Sequence, residues 1–268
     1  MTRTGTGSTF VLRIYMGLFF AYMFLPLGVM VAAGVNSYSP PSITIWQGFT
    51  LRWFAEFWAD ARMWSGLVNS LLIAVAVMAL ALPMGLSGAL LLSQLGRRSA
   101  GIVYKVMVSP LLTPGLIIGI STVILWRNLG TTAGLFTAIL AQSAFIASYA
   151  MLMFMARLQR QDHTLEEAAL DLGATRARAF RRITLPFLRP TIVTAAVIAF
   201  LQSFENYNTT IFSIGGNHTL VTEIGARMRF GISPMINAIG ILFILVTVIC
   251  AVLWSLLRQR ERRQEAAA

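Results

Sequence analysis

The chain has 268 residues, of which 57% are hydrophobic and 12% charged, and its mean hydropathy is +0.72. A soluble domain of this length carries about twice that charged fraction, so the composition excludes an ordinary water-soluble protein and indicates that lipid surrounds much of the chain. The net charge is +11, and every basic residue except Lys105 is an arginine. These arginines lie between long apolar runs, which favours topology-setting charges over nucleic-acid binding, so no nucleic-acid partner is expected.

Cysteine and histidine are too sparse for a disulfide framework or a metal cluster. Cys250 lies within an apolar run, where inert packing is the expected role. His163 and His218 are far apart in the sequence and share no ligand-like spacing. The sequence therefore predicts no metal site, no catalytic residue and no cofactor in this chain.

Six apolar runs are long enough to span a bilayer. The first follows Arg3 and Arg13 as in a signal peptide, but its length of about 20 residues predicts an uncleaved spanning helix. The third contains Pro110 and Pro114 near its start, which predicts irregular first turns. The runs lie near residues 12–35, 64–93, 103–127, 134–156, 191–213 and 235–257.

The segments between these runs separate by charge. Sixteen of the 21 basic residues fall in one alternating set, which includes both ends of the chain. The positive-inside rule places that set in the cytoplasm. The expected fold is an all-α integral membrane protein with six transmembrane helices and both termini cytoplasmic. The predicted divisions are an N-terminal span with an external interfacial segment (1–63), a membrane core that contains the loop 157–190 (64–257) and a basic cytoplasmic tail (258–268).

The external segment 36–63 is dense in aromatic residues, among them Trp46, Trp53 and Trp58. Aromatics of this kind are typical of the membrane–water boundary. The stretch 51–61 is predicted to form either a short amphipathic helix on the outer surface or an ordinary loop packed on the helices.

The longest internal loop, residues 157–190, contains two predicted short helices. Thr164 is a plausible N-cap, and Glu167 three residues later completes a capping box. Gly173 fits the position after the first helix, where a left-handed residue closes it. Thr175 is predicted to cap the second helix.

Pro186 and Pro190 are predicted to end that second helix and to lead into the fifth span. The loop presents small residues, and it carries acidic residues beside arginines. It can therefore dock on a protein partner, or lie on the inner leaflet against anionic lipid. Physical chemistry alone leaves these two interpretations open.

The loop resembles the "EAA" signature of ABC-importer permeases, in which EAA is followed by three residues, Gly, nine residues and I-x-L-P. Glu167-Ala168-Ala169, Gly173 and Ile183-Thr184-Leu185-Pro186 match every fixed position. The resemblance implies that the loop inserts into a groove of an ATPase subunit. The residues expected to couple to it are Glu166, Glu167, Ala168, Ala169, Asp171, Gly173, Ala174, Arg178, Ile183, Leu185 and Pro186.

The same resemblance implies a type I ABC-importer permease fold in a bacterial inner membrane. It implies as partners an ABC ATPase dimer, a second permease that is usually a different chain, and a periplasmic substrate-binding protein. ATP and Mg would be held by the ATPase, because Lys105 follows Tyr104 and so forms no P-loop in this chain. Residues 46–53 and 231–238 are similar to the spermidine/putrescine branch of these permeases.

A polar stripe in the predicted fifth span is the candidate solute path. Glu205 is the one acidic residue inside a predicted span, and a carboxylate there should face the bundle interior or water. The stripe either lines a path for an amine-bearing solute or bonds neighbouring helices. Its residues are Gln202, Glu205, Asn206, Asn208 and Thr209.

The stripe has fewer acids than expected for a polyamine permease, which keeps amino-acid derivatives and aminophosphonates open as solutes. The main rival function is a membrane scaffold or sensor that docks a cytoplasmic partner through the loop 157–190. A secondary carrier is disfavoured, because the sequence has no obvious internal repeat.

Overall fold

The computed structural model describes residues 6–162 and 164–265. Within these ranges no strand forms, and one isolated antiparallel bridge joins Asn36 to Phe49. The predicted all-α class is confirmed for the described residues. The helices are α1 (Thr6–Val35), α2 (Arg52–Ala59), α3 (Ala61–Gln94), α4 (Arg97–Leu112), α5 (Gly115–Asn128), α6 (Leu135–Leu158), α7 (Thr164–Asp171), α8 (Arg176–Ala179), α9 (Leu185–Phe204), α10 (Thr210–Ser213), α11 (Leu220–Met228) and α12 (Pro234–Glu265), with a π-helical turn at Phe180–Thr184.

The chain divides into two compact units, one formed by Met1–Ala61 with Ala226–Ala268 and the other by Arg62–Gly225. In the first unit, α1 and α2 both pack on α12. Glycine makes the approach of α1 to α12 possible, because a β-carbon on Gly34 would lie 2.6 Å from Cδ1 of Ile241.

Helix α2 buries one aromatic face within the first unit. Trp53 and Phe57 are each 5% exposed, and the indole N–H of Trp53 donates to the carbonyl of Asn36 at 2.8 Å. At the end of α2, Asp60 forms an ion pair with Arg227 at 2.6 Å. The predicted amphipathic helix therefore forms, with its aromatic side packed on the protein.

In the second unit, α6 contacts α4, α5, α9 and α10. Small residues let the backbones approach closely, as in many membrane helix bundles. A β-carbon on Gly85 of α3 would lie 2.8 Å from the carbonyl of Ala147 and from Cβ of Ala150 in α6. This packing gives α6 the buried, central position on which the candidate site depends.

The third predicted span is broken in the structure. Helices α4 and α5 meet at an angle of 104°, and Thr113 between them is extended, with φ −92° and ψ 128°. The residue before a proline avoids the α region, so Pro114 places the break after Thr113. Pro110, in contrast, lies inside α4. The prolines were predicted to make only the first turns of this span irregular, but the structure shows a complete break between two helices.

The fifth predicted span, 191–213, is also interrupted. Helix α9 ends at Phe204 and α10 begins at Thr210, and residues 205–209 form a non-helical segment that we call the break. The side-chain oxygen of Asn206 accepts the N–H of Thr209 at 3.1 Å. Asparagine competes for backbone N–H groups in this way, which explains why the helix stops here. The prediction of one continuous helix face from Gln202 to Thr209 is therefore wrong.

Four helices among the described residues are long and apolar enough to cross a membrane, and the bent pair α4–α5 would provide a fifth. They are Phe10–Val35, Ala61–Gln94, Leu135–Leu158 and Arg176–Phe204. Helix α12 adds a shorter apolar stretch, Pro234–Ile249. The chain is thus a multi-pass membrane protein by length and composition of its helices.

Candidate functional site

The loop 157–190, which we call the helical loop, begins differently from its sequence prediction. Thr164 lies within α7 rather than before it as an N-cap, and α7 begins at Thr164 among the described residues. The backbone N–H and the hydroxyl of Thr164 both donate to Oδ1 of Asp162, at 3.0 and 2.7 Å. A carboxylate beside the positive end of a helix is favourable, so Asp162 takes the capping role predicted for Thr164.

Helix α7 ends at a Schellman motif centred on Gly173. Gly173 has φ +81°, and its N–H donates to the carbonyl of Leu170 at 2.9 Å. The N–H of Ala174 donates to the carbonyl of Ala169 at 3.0 Å. These two bonds satisfy the last carbonyls of α7. The predicted left-handed glycine is confirmed.

The second helix of the loop is continuous with α9. Thr175 caps it as predicted, since its side chain accepts the N–H of Arg178 at 3.3 Å. The prediction that Pro186 and Pro190 end this helix is wrong. The chain widens into a π-helical turn, in which the N–H of Leu185 bonds the carbonyl of Phe180. Pro186 directly follows this turn, whose wider backbone leaves room for the proline ring inside the continuous helix.

Two contacts join the beginning of the helical loop to its end. Gln161 is 8% exposed, and its amide donates to the hydroxyl of Thr184 at 3.1 Å. The guanidinium of Arg157 lies 4.0 Å from the ring centre of Phe187. Arg157 is in α6 and Phe187 is in α9, so these contacts hold the two ends of the loop together.

The residues predicted to couple to an ATPase are brought together on this loop. Their exposure is uneven, as a docking surface with a packed inner side requires. Glu167, Ala168, Asp171, Gly173, Arg178 and Pro186 are exposed, while Glu166, Ala169, Ala174, Ile183 and Leu185 are half-buried.

Exposed leucines on the helical loop were missed by the sequence analysis as site residues. Leu172 is 90% exposed and Leu165 is 59% exposed. Both apolar side chains are available for contact with another molecule. The sequence could have indicated these two leucines, because both are large apolar residues in a loop that is otherwise rich in charge. The inner side of the loop borders a cavity of about 630 Å³.

The break at 205–209 borders a second cavity, of about 370 Å³, which we call the polar cavity. All five predicted path residues line this cavity. They do not share one helix face, because four of them lie in the non-helical break. Three further residues line the cavity that were not predicted from the sequence: Gly115, Phe145 and Tyr207. Only folding brings Gly115 and Phe145 here, since they belong to α5 and α6.

The polar cavity places one carboxylate among amides. Glu205 is exposed at the end of α9 and lies beside Asn206 and Asn208. The side-chain oxygen of Gln202 is buried and has no hydrogen-bond partner among the residues that the structure describes. Helix C-termini carry partial negative charge, which adds to the charge of Glu205. The cavity can therefore accept hydrogen bonds from a cationic or polar solute.

The break packs tightly on α5. A β-carbon on Gly119 would lie 2.5 Å from the carbonyl of Thr209, and one on Gly115 would lie 2.7 Å from the Thr209 hydroxyl. Two helix interruptions, the bend at Pro114 and the break, thus meet beside the polar cavity. Non-helical backbone in a membrane protein is tolerated where it lines a cavity.

A buried acid outside the predicted path was also missed. Glu223 of α11 has a side chain that is 5% exposed and pairs with Arg62 at 2.7 Å. His218 reinforces this connection, since its Nε2 lies 3.0 Å from the carbonyl of Arg62 and 2.9 Å from the hydroxyl of Ser65. These contacts fasten the segment after α10 to the start of α3.

We expect Arg62→Gln to destabilise the protein, because it leaves the buried Glu223 carboxylate with a weaker partner. The expected cost is about 2 kcal/mol, or about 5 °C in Tm, measured by thermal unfolding of the purified protein in detergent. The Arg62→Gln, Glu223→Gln double variant should recover much of that loss, and Arg127→Gln, at an exposed arginine, should have little effect. If Arg62→Gln lowered Tm by the same amount in the Glu223→Gln background as in the wild-type protein, the pairing would be contradicted.

Known proteins that are similar in sequence to this chain are membrane components of transport systems. Residues 81–263 match the family described as binding-protein-dependent transport system inner membrane component. The putrescine transport system permease protein PotI of Escherichia coli is 30% identical over 254 residues, covering 91% of this chain and 90% of the relative. The spermidine/putrescine transport system permease protein PotC of Escherichia coli is 24% identical over 240 residues, covering 89% and 90%.

Solved structures share the fold. A chain of a bacterial ABC transporter that imports the acidic polysaccharide alginate matches with a TM-score of 0.69 and 16% identity, covering 94% of this chain and 95% of that chain. The MetNI methionine ABC transporter in an inward-facing conformation matches with a TM-score of 0.58 and 22% identity, covering 72% and 95%. The family match extends over most of the chain. The chain therefore belongs to the family of binding-protein-dependent transport system inner membrane components and is a permease subunit of an ABC importer, whose ATPase is a separate subunit.

Proposed function

We propose that this chain lines the translocation path of an ATP-driven importer in a bacterial inner membrane and passes a small hydrophilic, amine-bearing solute. A periplasmic binding protein delivers the solute, and a cytoplasmic ATPase dimer supplies the energy. A second, different permease completes the path. The chain has six spans and cytoplasmic termini in this proposal, which the distribution of its basic residues supports.

One observation carries the proposal. Arg176–Phe204 is a single helical rod of 29 residues, which includes the π-helical turn. One end begins in the exposed helical loop, and the other ends at the break that borders the polar cavity. At 1.5 Å per residue the rod is about 40 Å long. A displacement of the loop by closing ATPases is thereby transmitted to the cavity wall.

The charge of the polar cavity supports an amine as part of the solute. Glu205 supplies a carboxylate, the end of α9 adds partial negative charge, and Asn206 and Asn208 supply amide groups. The names of PotI and PotC connect those relatives to putrescine and spermidine. Polyamine-like solutes, amino-acid derivatives and aminophosphonates all satisfy this chemistry.

The test is purification of this chain with the products of its neighbouring genes, followed by reconstitution in lipid. A complex with an ATPase is expected, and a binding protein loaded with the right amine should stimulate ATP hydrolysis. A panel of putrescine, spermidine, an amino-acid derivative and an aminophosphonate identifies the solute class. A chain that purifies without an ATPase would instead support a scaffold or sensor subunit.

A further inference from the structure

Gln142 occupies an unusual position for an amide side chain in this protein. It lies on α6, is 0% exposed and makes hydrogen bonds in two directions. The hydroxyl of Ser203 donates to Oε1 of Gln142 at 2.5 Å. The Nε2 of Gln142 donates to the hydroxyl of Thr210 at 2.7 Å.

The hydroxyl of Thr210 extends these contacts into a chain with one direction. Because it accepts from Gln142, it is free to donate its own proton, and it does so to the carbonyl of Asn206. The order is therefore Ser203, Gln142, Thr210 and the Asn206 carbonyl. Ser203 and Thr210 are 4% and 0% exposed, and hydrogen bonds in such a water-free chain strengthen one another.

The two partners of Gln142 stand on either side of the break. Ser203 is in the last turn of α9, and Thr210 is the first residue of α10. One side chain from α6 thus holds both helix ends. The residues between and beside these two ends are the ones that line the polar cavity.

The break cannot fix this arrangement by its own contacts. The bond from the Thr209 N–H to Asn206 is local and shapes only a turn. It leaves the directions of α9 and α10 open, because a short non-helical segment has many ways to join two helices. Contacts with other elements are needed. Helix α5 packs on Thr209 within the break, whereas Gln142 bonds to both helix ends, from 61 and 68 residues away.

We propose that Gln142 is a positioning residue that fixes the ends of α9 and α10 and so sets the shape of the polar cavity. Without Gln142 the break becomes mobile. Movement of the rod Arg176–Phe204 then no longer produces one defined position of the residues that line the cavity. The consequence for transport rests on the proposed function, whereas the ordering of the break does not.

The first experiment therefore needs no solute. Asn208, an exposed residue of the break, is changed to cysteine in a protein whose single native cysteine, Cys250, is serine, and a nitroxide is attached. Spectra are recorded from the full complex in lipid. Gln142→Met, which keeps the length and removes both hydrogen bonds, should cause loss of the immobile spectral component.

Two further variants keep the proposal testable if Gln142→Met fails to assemble. Ser203→Ala removes the bond of Gln142 to α9, and Thr210→Val removes its bond to α10 together with the bond to the Asn206 carbonyl. Both variants should have the same effect on the spectrum. The matched control is Ser143→Ala, because Ser143 is a buried neighbour on α6 whose hydroxyl bonds only its own helix at Ile139. An immobile component that persists in all three variants would overturn the proposal.

The second experiment measures solute moved per ATP hydrolysed. Gln142→Met should lower this ratio about tenfold, with complex yield and basal ATP hydrolysis unchanged. A general packing defect would lower yield and both activities together, and that result would count against a positioning role. If the wild-type complex moves no amine, the proposed function fails while the spectra still decide the role of Gln142.

Discussion

Gly173→Asp is expected to abolish solute uptake by the importer while this chain still inserts into the membrane. Gly173 has φ +81°, a conformation that costs an ordinary residue about 1–2 kcal/mol. The substitution strains the Schellman motif at the end of α7 and adds a negative charge to the exposed loop. Uptake of solute into proteoliposomes and the amount of chain in the membrane fraction are the two measurements.

Two matched variants separate conformation from charge. Gly173→Asn should retain partial uptake, because asparagine adopts left-handed conformations at a lower cost. Gly96→Asp places the same new charge at a glycine with φ −63° that precedes α4, where aspartate is a favoured cap. Gly96→Asp should therefore transport normally. Normal uptake by Gly173→Asp would remove the helical loop from the proposed coupling.

Glu205→Gln is expected to reduce solute-stimulated transport about tenfold, the equivalent of about 1.4 kcal/mol. The change keeps the shape of the side chain and removes the one carboxylate that lines the polar cavity. An amine then loses its charged partner, while a neutral polar solute would lose little. Uptake is measured for each member of the solute panel, so the loss should be greatest for solutes with an amine.

The control for this variant is Glu56→Gln, at an exposed acid on α2. It changes the net charge equally and is not one of the residues that line the polar cavity. Complex yield must be measured beside transport. If Glu205→Gln dissociates the complex instead of altering solute preference, Glu205 bonds neighbouring helices and the solute path lies elsewhere.

The two variants act at opposite ends of one rod. Gly173 precedes the helix that begins at Arg176, and Glu205 follows the helix that ends at Phe204. Gly173→Asp should lower transport of every solute equally, since it interrupts the transmission of force. Glu205→Gln should change the ranking of solutes. This contrast separates energy coupling from solute recognition within one chain.

Much of the candidate site could be predicted because its rules are local. The left-handed glycine at 173 and the cap at Thr175 follow from residues within one turn, and both are present in the structure. Local rules also failed where two of them competed. Pro186 was expected to end a helix, but the π-helical turn before it widens the backbone, and the helix continues through the proline.

The sequence by itself determined the membrane environment, the all-α class and the helical loop, because hydropathy, charge and caps act over short stretches of chain. The tertiary structure alone decided the polar cavity and the positions of the two helix ends beside it. Gln142 reaches Thr210 across 68 residues, and Arg62 reaches Glu223 across 161. A buried polar group needs a hydrogen-bond partner, and the fold decides which residue that is. No spacing rule predicts a partner that lies 68 or 161 residues away in the sequence.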